Sequence, residues 1–309
     1  MKIAYVDDYR LSAVTEHGVV DLSAVVGDLD MMPAQQKINW VIERWSDYQP
    51  KFEELLATAK PRPLAEVQLQ APLPKPLAIV CMAVNYMENG LLKEKPLAQA
   101  FFKNSHSVIG PGATMHLPDV PATVFEGEAE IALVIGKTAT KVSVEAASEY
   151  IFGYVNFVDG SARGLATGMG LSYFMKGQDD FAPVGPWITT ADEIAEPMQL
   201  QVQQWNNGKL TQDYNTSDMA HNIAESLAFV SSNTTLEAGD LIALGTNHQG
   251  LHPIQDGDLV EQETQGLGRL AFQVSDMCGR TWTRQTRAEW QKSGQKGGHA
   301  AQLSGKHLG

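Results

Sequence analysis

Five residues, Glu126-Gly127-Glu128-Ala129-Glu130, run straight into the apolar stretch Ile131–Ile135. No other segment restricts the fold so strongly. In a strand, side chains at i and i+2 share a face, so Glu128 and Glu130 point the same way as the chain enters an apolar strand. Buried like charges cost free energy unless a cation offsets them. A third acid, Asp159, follows the strand-like run Gly153–Val158. Three carboxylates without neighbouring Cys or His suit a hard divalent ion such as Mg²⁺ or Mn²⁺. Such a site keeps water positions open for a chelating substrate. Spacing alone reads at least as readily as an exposed acidic edge formed by Glu126, Glu128 and Glu130.

The surrounding pattern is mostly strands broken by Gly, Pro, Asp and Asn. Leu77–Met82, Glu130–Ile135, Leu200–Trp205, Leu241–Leu244, Leu259–Glu263 and Leu270–Val274 read as strands. Helices are expected over Gln35–Lys60, stopped by Pro61 and Pro63, over Val144–Phe152 with Ser143 as N-cap, and over His221–Val230 with Ser217 or Asp218 near its start. Alternating βαβ units and a Gly-rich phosphate loop are both missing, which disfavours nucleotide-binding folds. The expectation is an α+β, predominantly β fold. Residues 1–70 form a small N-terminal α/β unit, 71–279 a catalytic domain and 280–309 a basic tail. The Pro-rich segment Ala71–Pro76 reads as a surface linker.

The chain carries 36 acidic and 23 basic residues, a net charge of -13. That balance argues against nucleic acid and anionic membranes as partners. Two cysteines, Cys81 and Cys278, fit a reducing compartment. Apolar runs are too short to span a bilayer, so a cytoplasmic location is the expectation. Charge is uneven: from Arg280 onward six basic residues face one acid, Glu289. Such a tail reads as a solvated extension, as a strap across the acidic body of its own or a neighbouring subunit, or as a segment at the active-site mouth.

The block Glu128-Ala-Glu130-Ile-Ala-Leu-Val-Ile-Gly-Lys137 resembles the metal-binding signature of the fumarylacetoacetate hydrolase family. Asn85-Tyr86, Ser107–Gly112, Val158-Asp159-Gly160-Ser161-Ala162-Arg163, Lys176, Asp179–Trp187, Gly245-Thr246 and Asp256-Gly257-Asp258 continue the likeness in order over about 77–275. The resemblance implies a mixed β-roll or sandwich domain, a homodimer and a 2-oxo or 1,3-dioxo acid as substrate. It implies that Glu128, Glu130 and Asp159 hold one Mg²⁺ or Mn²⁺. Lys176 then sits beside the developing enolate, and Thr246 and Tyr86 contact substrate. Arg163 orients the Asp159 loop or contacts substrate.

One departure stands out. Hydrolytic members of that family carry a His three residues after the Asn-Tyr tyrosine, paired with a Glu. This chain has Asn89 there, and an amide is no general base at neutral pH. Glu88, Glu94 and His248 are the substitute candidates, with Gly90 giving the loop freedom. His106, His116 and His221 carry no comparable argument, and Trp187 reads as core. Three functions are weighed. One is metal-dependent C–C hydrolysis of a 2,4-dioxo acid. Another is enol–keto tautomerisation, decarboxylation or dehydration of a 2-oxo acid such as oxaloacetate. The third is a non-catalytic relative. Substrate specificity is expected from Tyr86–Phe102 and Gly164–Tyr173.

Overall fold

The computed structural model describes residues 1–165, 171–295 and 298–308, without the side chain of Leu171. The fold is predominantly β. The larger sheet runs through β1 (Lys2–Val6), β2 (Arg10–Thr15), β3 (Gly18–Asp21), β4 (Ile79–Ala83), β5 (Gln99–Lys103), β7 (Val124–Ile135), β8 (Ile151–Arg163), β9 (Ala182–Thr190) and β12 (Leu241–Ala243). Their spatial order is β3-β2-β1-β9-β8-β7-β12-β4-β5. The second sheet contains β6 (Thr114–His116), β10 (Gln201–Asn206), β11 (Lys209–Asn215), β13 (Leu259–Thr264) and β14 (Gly268–Ser275), in the order β11-β10-β13-β14-β6.

β7 is the keystone. All twelve of its residues are buried, as expected of a strand covered on both faces. One face presents Ala132 and Val134 to a core shared with Ile3, Tyr5, Ile38 and Phe52. The other presents Ile131, Leu133 and Ile135 to a core shared with Val202, Tyr214 and Leu227. Trimming Leu133 to Ala would cost about 2–5 kcal/mol, because the cavity left behind adds to the lost burial.

The first 60 residues contribute three strands to the larger sheet, through the antiparallel pairing of β1 with β9. They also contribute a single helical turn, Ser23–Val26, and two longer helices, α1 (Ala34–Glu43) and α2 (Trp45–Leu56). The single helix expected over Gln35–Lys60 is thus broken at Arg44, whose φ of -116° leaves the helical region. Trp45 then packs edge-on against Phe152 at 5.0 Å.

Three further expectations need correcting. Val144–Phe152 is not a helix: a short 3-10 turn, Ala147–Tyr150, leads directly into β8 at Ile151. Pairing of Ile151 with Ile135 outweighs local helix preference. α4 (Ile223–Asn233) is capped by Asn222 in a capping box with Glu225, since Asp218 is committed to Asn89 and Asn247. The 71–76 segment is no surface linker, because Ala71 and Leu73 are buried.

The basic tail lies on its own chain. Arg280 is fully buried against Asp276, with the Pro118 and Val120 carbonyls accepting from its guanidinium. Arg284 makes two 2.8 Å bonds to Asp258. A short helix, α5 (Arg287–Lys292), follows, and Lys306 reaches Asp119. No helix among the described residues is long and apolar enough to cross a membrane.

Candidate active site and metal centre

The register of β7 against β8 assembles the carboxylates. Glu128 lies directly opposite Asp159, and Glu130 opposite Phe157. Directly opposed residues on an antiparallel pair share a face. Glu128, Glu130 and Asp159 are all buried, with ligand oxygens within 4.8 Å of one another. The alternative of an exposed acidic edge is thereby excluded.

Burial raises the Glu130 carboxyl to about 8, and the Asp159 charge adds to that rise. Lys176 and the Gly245 N–H, 2.7 Å from Glu130 Oε2, offset only part of it. A buried trio of hard oxygen donors, one held neutral for want of charge compensation, is the donor set a divalent ion completes. The residues fit Mg²⁺ or Mn²⁺ by that test.

Two lysines crowd the same cluster. Lys176, ending α3 (Leu171–Lys176), donates to Glu128 at 3.0 Å, to Ser161 Oγ at 2.6 Å and to Asp159. Burial lowers its pKa, against the raising effect of Asp159. Lys103, at the end of β5, donates to Asp159 Oδ1 and the Lys176 carbonyl at 2.6 Å each, and to the Gly160 carbonyl at 3.2 Å. Sequence reasoning missed Lys103. Its signal was a lysine closing a strand-like run just before Ser107–Gly112.

Arg163 bridges the row outward, pairing with Glu128 and donating from Nε to Glu126 Oε2 at 3.1 Å. The tail supplies Arg287, whose Nε donates to Glu126 Oε1 at 2.9 Å. Burial alone would raise the Glu126 carboxyl, but His299, Arg287 and Arg163 together hold it well below the carboxylate range. Neither Glu126 nor Arg287 was picked out as a site residue from sequence.

Polar residues of the second sheet hold the backbone of β7. Gln204 donates to the Gly127 carbonyl at 2.9 Å and Gln262 to the Glu130 carbonyl at 2.6 Å. Gln212 accepts from the Ala129 N–H at 3.0 Å and donates to Thr246 Oγ1 at 2.7 Å. Thr246 is buried beside the cluster. Tyr86 is buried edge-on against Tyr214, its hydroxyl without a partner among the described residues. The readable signal was a polar residue at an inward position of an alternating strand, such as Gln204 and Gln262.

Glu88 and His248 come together. Glu88 Oε1 lies 2.5 Å from His248 Nδ1, and Oε2 accepts from the His248 N–H at 2.9 Å. Since an ionised carboxylate only accepts, the proton of this contact sits on Nδ1, and in the neutral ring Nε2 is then the acceptor. Nε2 has no partner among the described residues, and the ring is about a quarter exposed. Only Thr246 and Asn247 lie between Gly245, on Glu130, and His248. The span is therefore at most about 11 Å. Asn89 instead turns through a positive φ of 53°, its N–H on Asp218. Glu94 makes no hydrogen bond among the described residues. Of the two specificity segments, Gly164–Tyr173 falls partly outside the described residues.

Residues 78–275 match the model of the fumarylacetoacetate (FAA) hydrolase C-terminal family. The maleylpyruvate hydrolase of Aquipseudomonas alcaligenes is 30% identical over 89% of this chain and 99% of its own length. Oxaloacetate tautomerase YisK of Bacillus subtilis is 33% identical over 68% of this chain and 74% of its own. Among solved structures, maleylpyruvate hydrolase from Sphingobium sp. SYK-6 in complex with manganese(II) and pyruvate superposes with a TM-score of 0.81. It is 33% identical and covers 89% of this chain and 99% of its own. The buried carboxylate trio and the lysine beside it lie within the matched residues, and the chain belongs to the fumarylacetoacetate hydrolase family.

Proposed function

We propose that the chain is a divalent-metal-dependent hydrolase cleaving a C–C bond in a 2,4-dioxo or acylpyruvate-like acid. The Glu88–His248 pair carries this reading, because it supplies the base that Asn89 cannot. Glu128, Glu130 and Asp159 would hold Mg²⁺ or Mn²⁺, which when bound supplies Lewis acidity to the oxygens of a 2-oxo acid. His248 Nε2 takes a proton from water, and Glu88 steadies the imidazolium that forms. The hydroxide adds to the C4 carbonyl. The C3–C4 bond then breaks, its electron pair going to C3 and so to an enolate. The Lys176 ammonium stabilises that charge. A proton delivered to C3 completes a 2-oxo acid, and the C4 fragment leaves as a carboxylic acid. Thr246 and the free Tyr86 hydroxyl are assigned to substrate binding, and Arg163 to holding Glu128 in place.

A second reading is enol–keto tautomerisation of a 2-oxo acid. The lowered pKa of Lys176 favours it, since such an amine exchanges protons at C3 without any activated water. The deciding assay incubates the Mn²⁺-loaded protein with acylpyruvates and with oxaloacetate and follows products by mass. Two acids whose masses sum to the substrate plus one water support the hydrolase. An ultraviolet change at constant mass supports the tautomerase and removes the hydrolytic assignment of His248.

A further inference from the structure

The outer carboxylate Glu126 and the two tail residues gathered on it, Arg287 and His299, have no role in that reaction. Glu126, Glu128 and Glu130 lie on one face of β7 at alternate positions, so their levels are about 6.8 Å apart along the strand. Arg163 spans the Glu128 and Glu126 levels. Arg287 arrives from the tail onto Glu126, and His299 Nδ1, also from the tail, stands 3.7 Å from Glu126 Oε1. Two guanidinium groups on one carboxylate leave donors over. Nη1 of Arg163 and Nη1 of Arg287 each lack a partner among the described residues, and the two side chains are 14% and 18% exposed.

Charge counting gives the same answer. Four buried carboxylates, Glu126, Glu128, Glu130 and Asp159, face four cations, Lys103, Lys176, Arg163 and Arg287. A divalent ion in the inner trio leaves two positive charges over. A ligand with one carboxylate offsets one of them, whereas a dianion offsets both.

We infer that Arg287, brought in by the C-terminal strap, is a specificity-determining residue that together with Arg163 binds a second carboxylate on the substrate. The substrate is accordingly a 2-oxo dicarboxylic acid. Its 2-oxo acid end lies at the inner trio and its far carboxylate at the Glu126 level. This rests on the proposed function, since it takes the inner trio as the site of the 2-oxo acid. Glu126 keeps both guanidinium groups fixed in advance, so little side-chain freedom is lost when the anion arrives.

The test is calorimetric binding to the Mn²⁺-loaded full chain of two matched pairs, 2-oxoglutarate against 2-oxovalerate and 2-oxoadipate against 2-oxohexanoate. The members of each pair differ only in the far carboxylate. The wild type should prefer one of the diacids by about tenfold to a hundredfold, the range for hydrogen bonds to charged groups. Arg287→Met should erase that preference while leaving monoacid affinity within about threefold. Arg287→Lys should keep part of it. Equal affinities for both members of each pair in the wild type overturn the inference and leave the proposed function standing. An Arg287→Met protein that melts normally but keeps the preference, or loses both acids equally, also overturns it. If Arg287→Met does not fold, an undiminished preference in Arg287→Lys overturns it and a diminished one with intact monoacid binding supports it. Wild type that binds no 2-oxo acid overturns this inference together with the proposed function.

Discussion

Glu88 and His248 stand 160 residues apart in the chain, yet a carboxylate oxygen of one lies 2.5 Å from Nδ1 of the other. Glu88 reaches that position through a positive φ of 55°, uncommon for a residue with a side chain. The expected outcome of His248→Ala is a fall in kcat of about 10²–10⁴-fold, the range for a lost general base. KM should change little. Glu88→Gln should act in the same direction, with the melting temperature checked alongside. Steady-state kinetics with unaltered turnover in both variants would remove the pair from the chemistry.

Removal of an inner carboxylate should abolish metal affinity before it harms the fold. Glu128→Ala and Asp159→Asn should weaken Mn²⁺ binding by at least about 100-fold, more than the loss known for residues that only support a ligand. Chelator should silence the wild type, and Mn²⁺ should restore it. Full turnover of Glu128→Ala in chelator would contradict the whole mechanism.

The high pKa of Glu130 makes metal binding depend on pH. In the ion-free folded protein this carboxyl keeps its proton up to about 8, whereas the unfolded chain loses it near 4.5. Between those values the folded state binds more protons. Ion-free stability therefore falls as pH rises through the window. An arriving ion displaces that proton, so the apparent Kd for Mn²⁺ should weaken about tenfold per pH unit below about 8 and level off above it. Titrations followed by electron paramagnetic resonance at four pH values measure the slope. A flat profile from pH 6 to 8 would refute the assignment of Glu130.

Lys103 has all three protons occupied by Asp159, Gly160 and Lys176. Its side chain has no solvent exposure. Lys103→Met takes away one of the two buried cations on Asp159, Lys176 being the other, and breaking such a buried pair typically costs about 3–5 kcal/mol. Urea unfolding should show that loss. A cost under about 1 kcal/mol would mean that water or Lys176 replaces it.

What was legible in the sequence had short-range causes. The alternation of Glu128 and Glu130 before Ile131–Ile135 is a period-two signal, and it revealed both the strand and the face its acids share. Asp159 followed from a second strand-like run, and its place opposite Glu128 is set by register. The misread elements turn on competition between local and distant partners. Val144–Phe152 looks helical in isolation but feeds a strand paired along its length. Lys103 and Arg287 meet their partners 56 and 161 residues away, and no local pattern records such a meeting. Glu88 and His248 were each suspected alone, and only the fold reveals them as a pair.

The sheet next to the carboxylates is held unevenly. β7 pairs with β12 only over Ala132–Val134. Farther along, the Ala129 N–H rests on Gln212 and its carbonyl on Tyr214. Single side chains stand where a neighbouring strand would otherwise run. On that side the acid-bearing half is fastened by single side chains instead of a ladder, so amide exchange at Ala129 reads the loss of the Gln212 contact separately from the unfolding of the molecule.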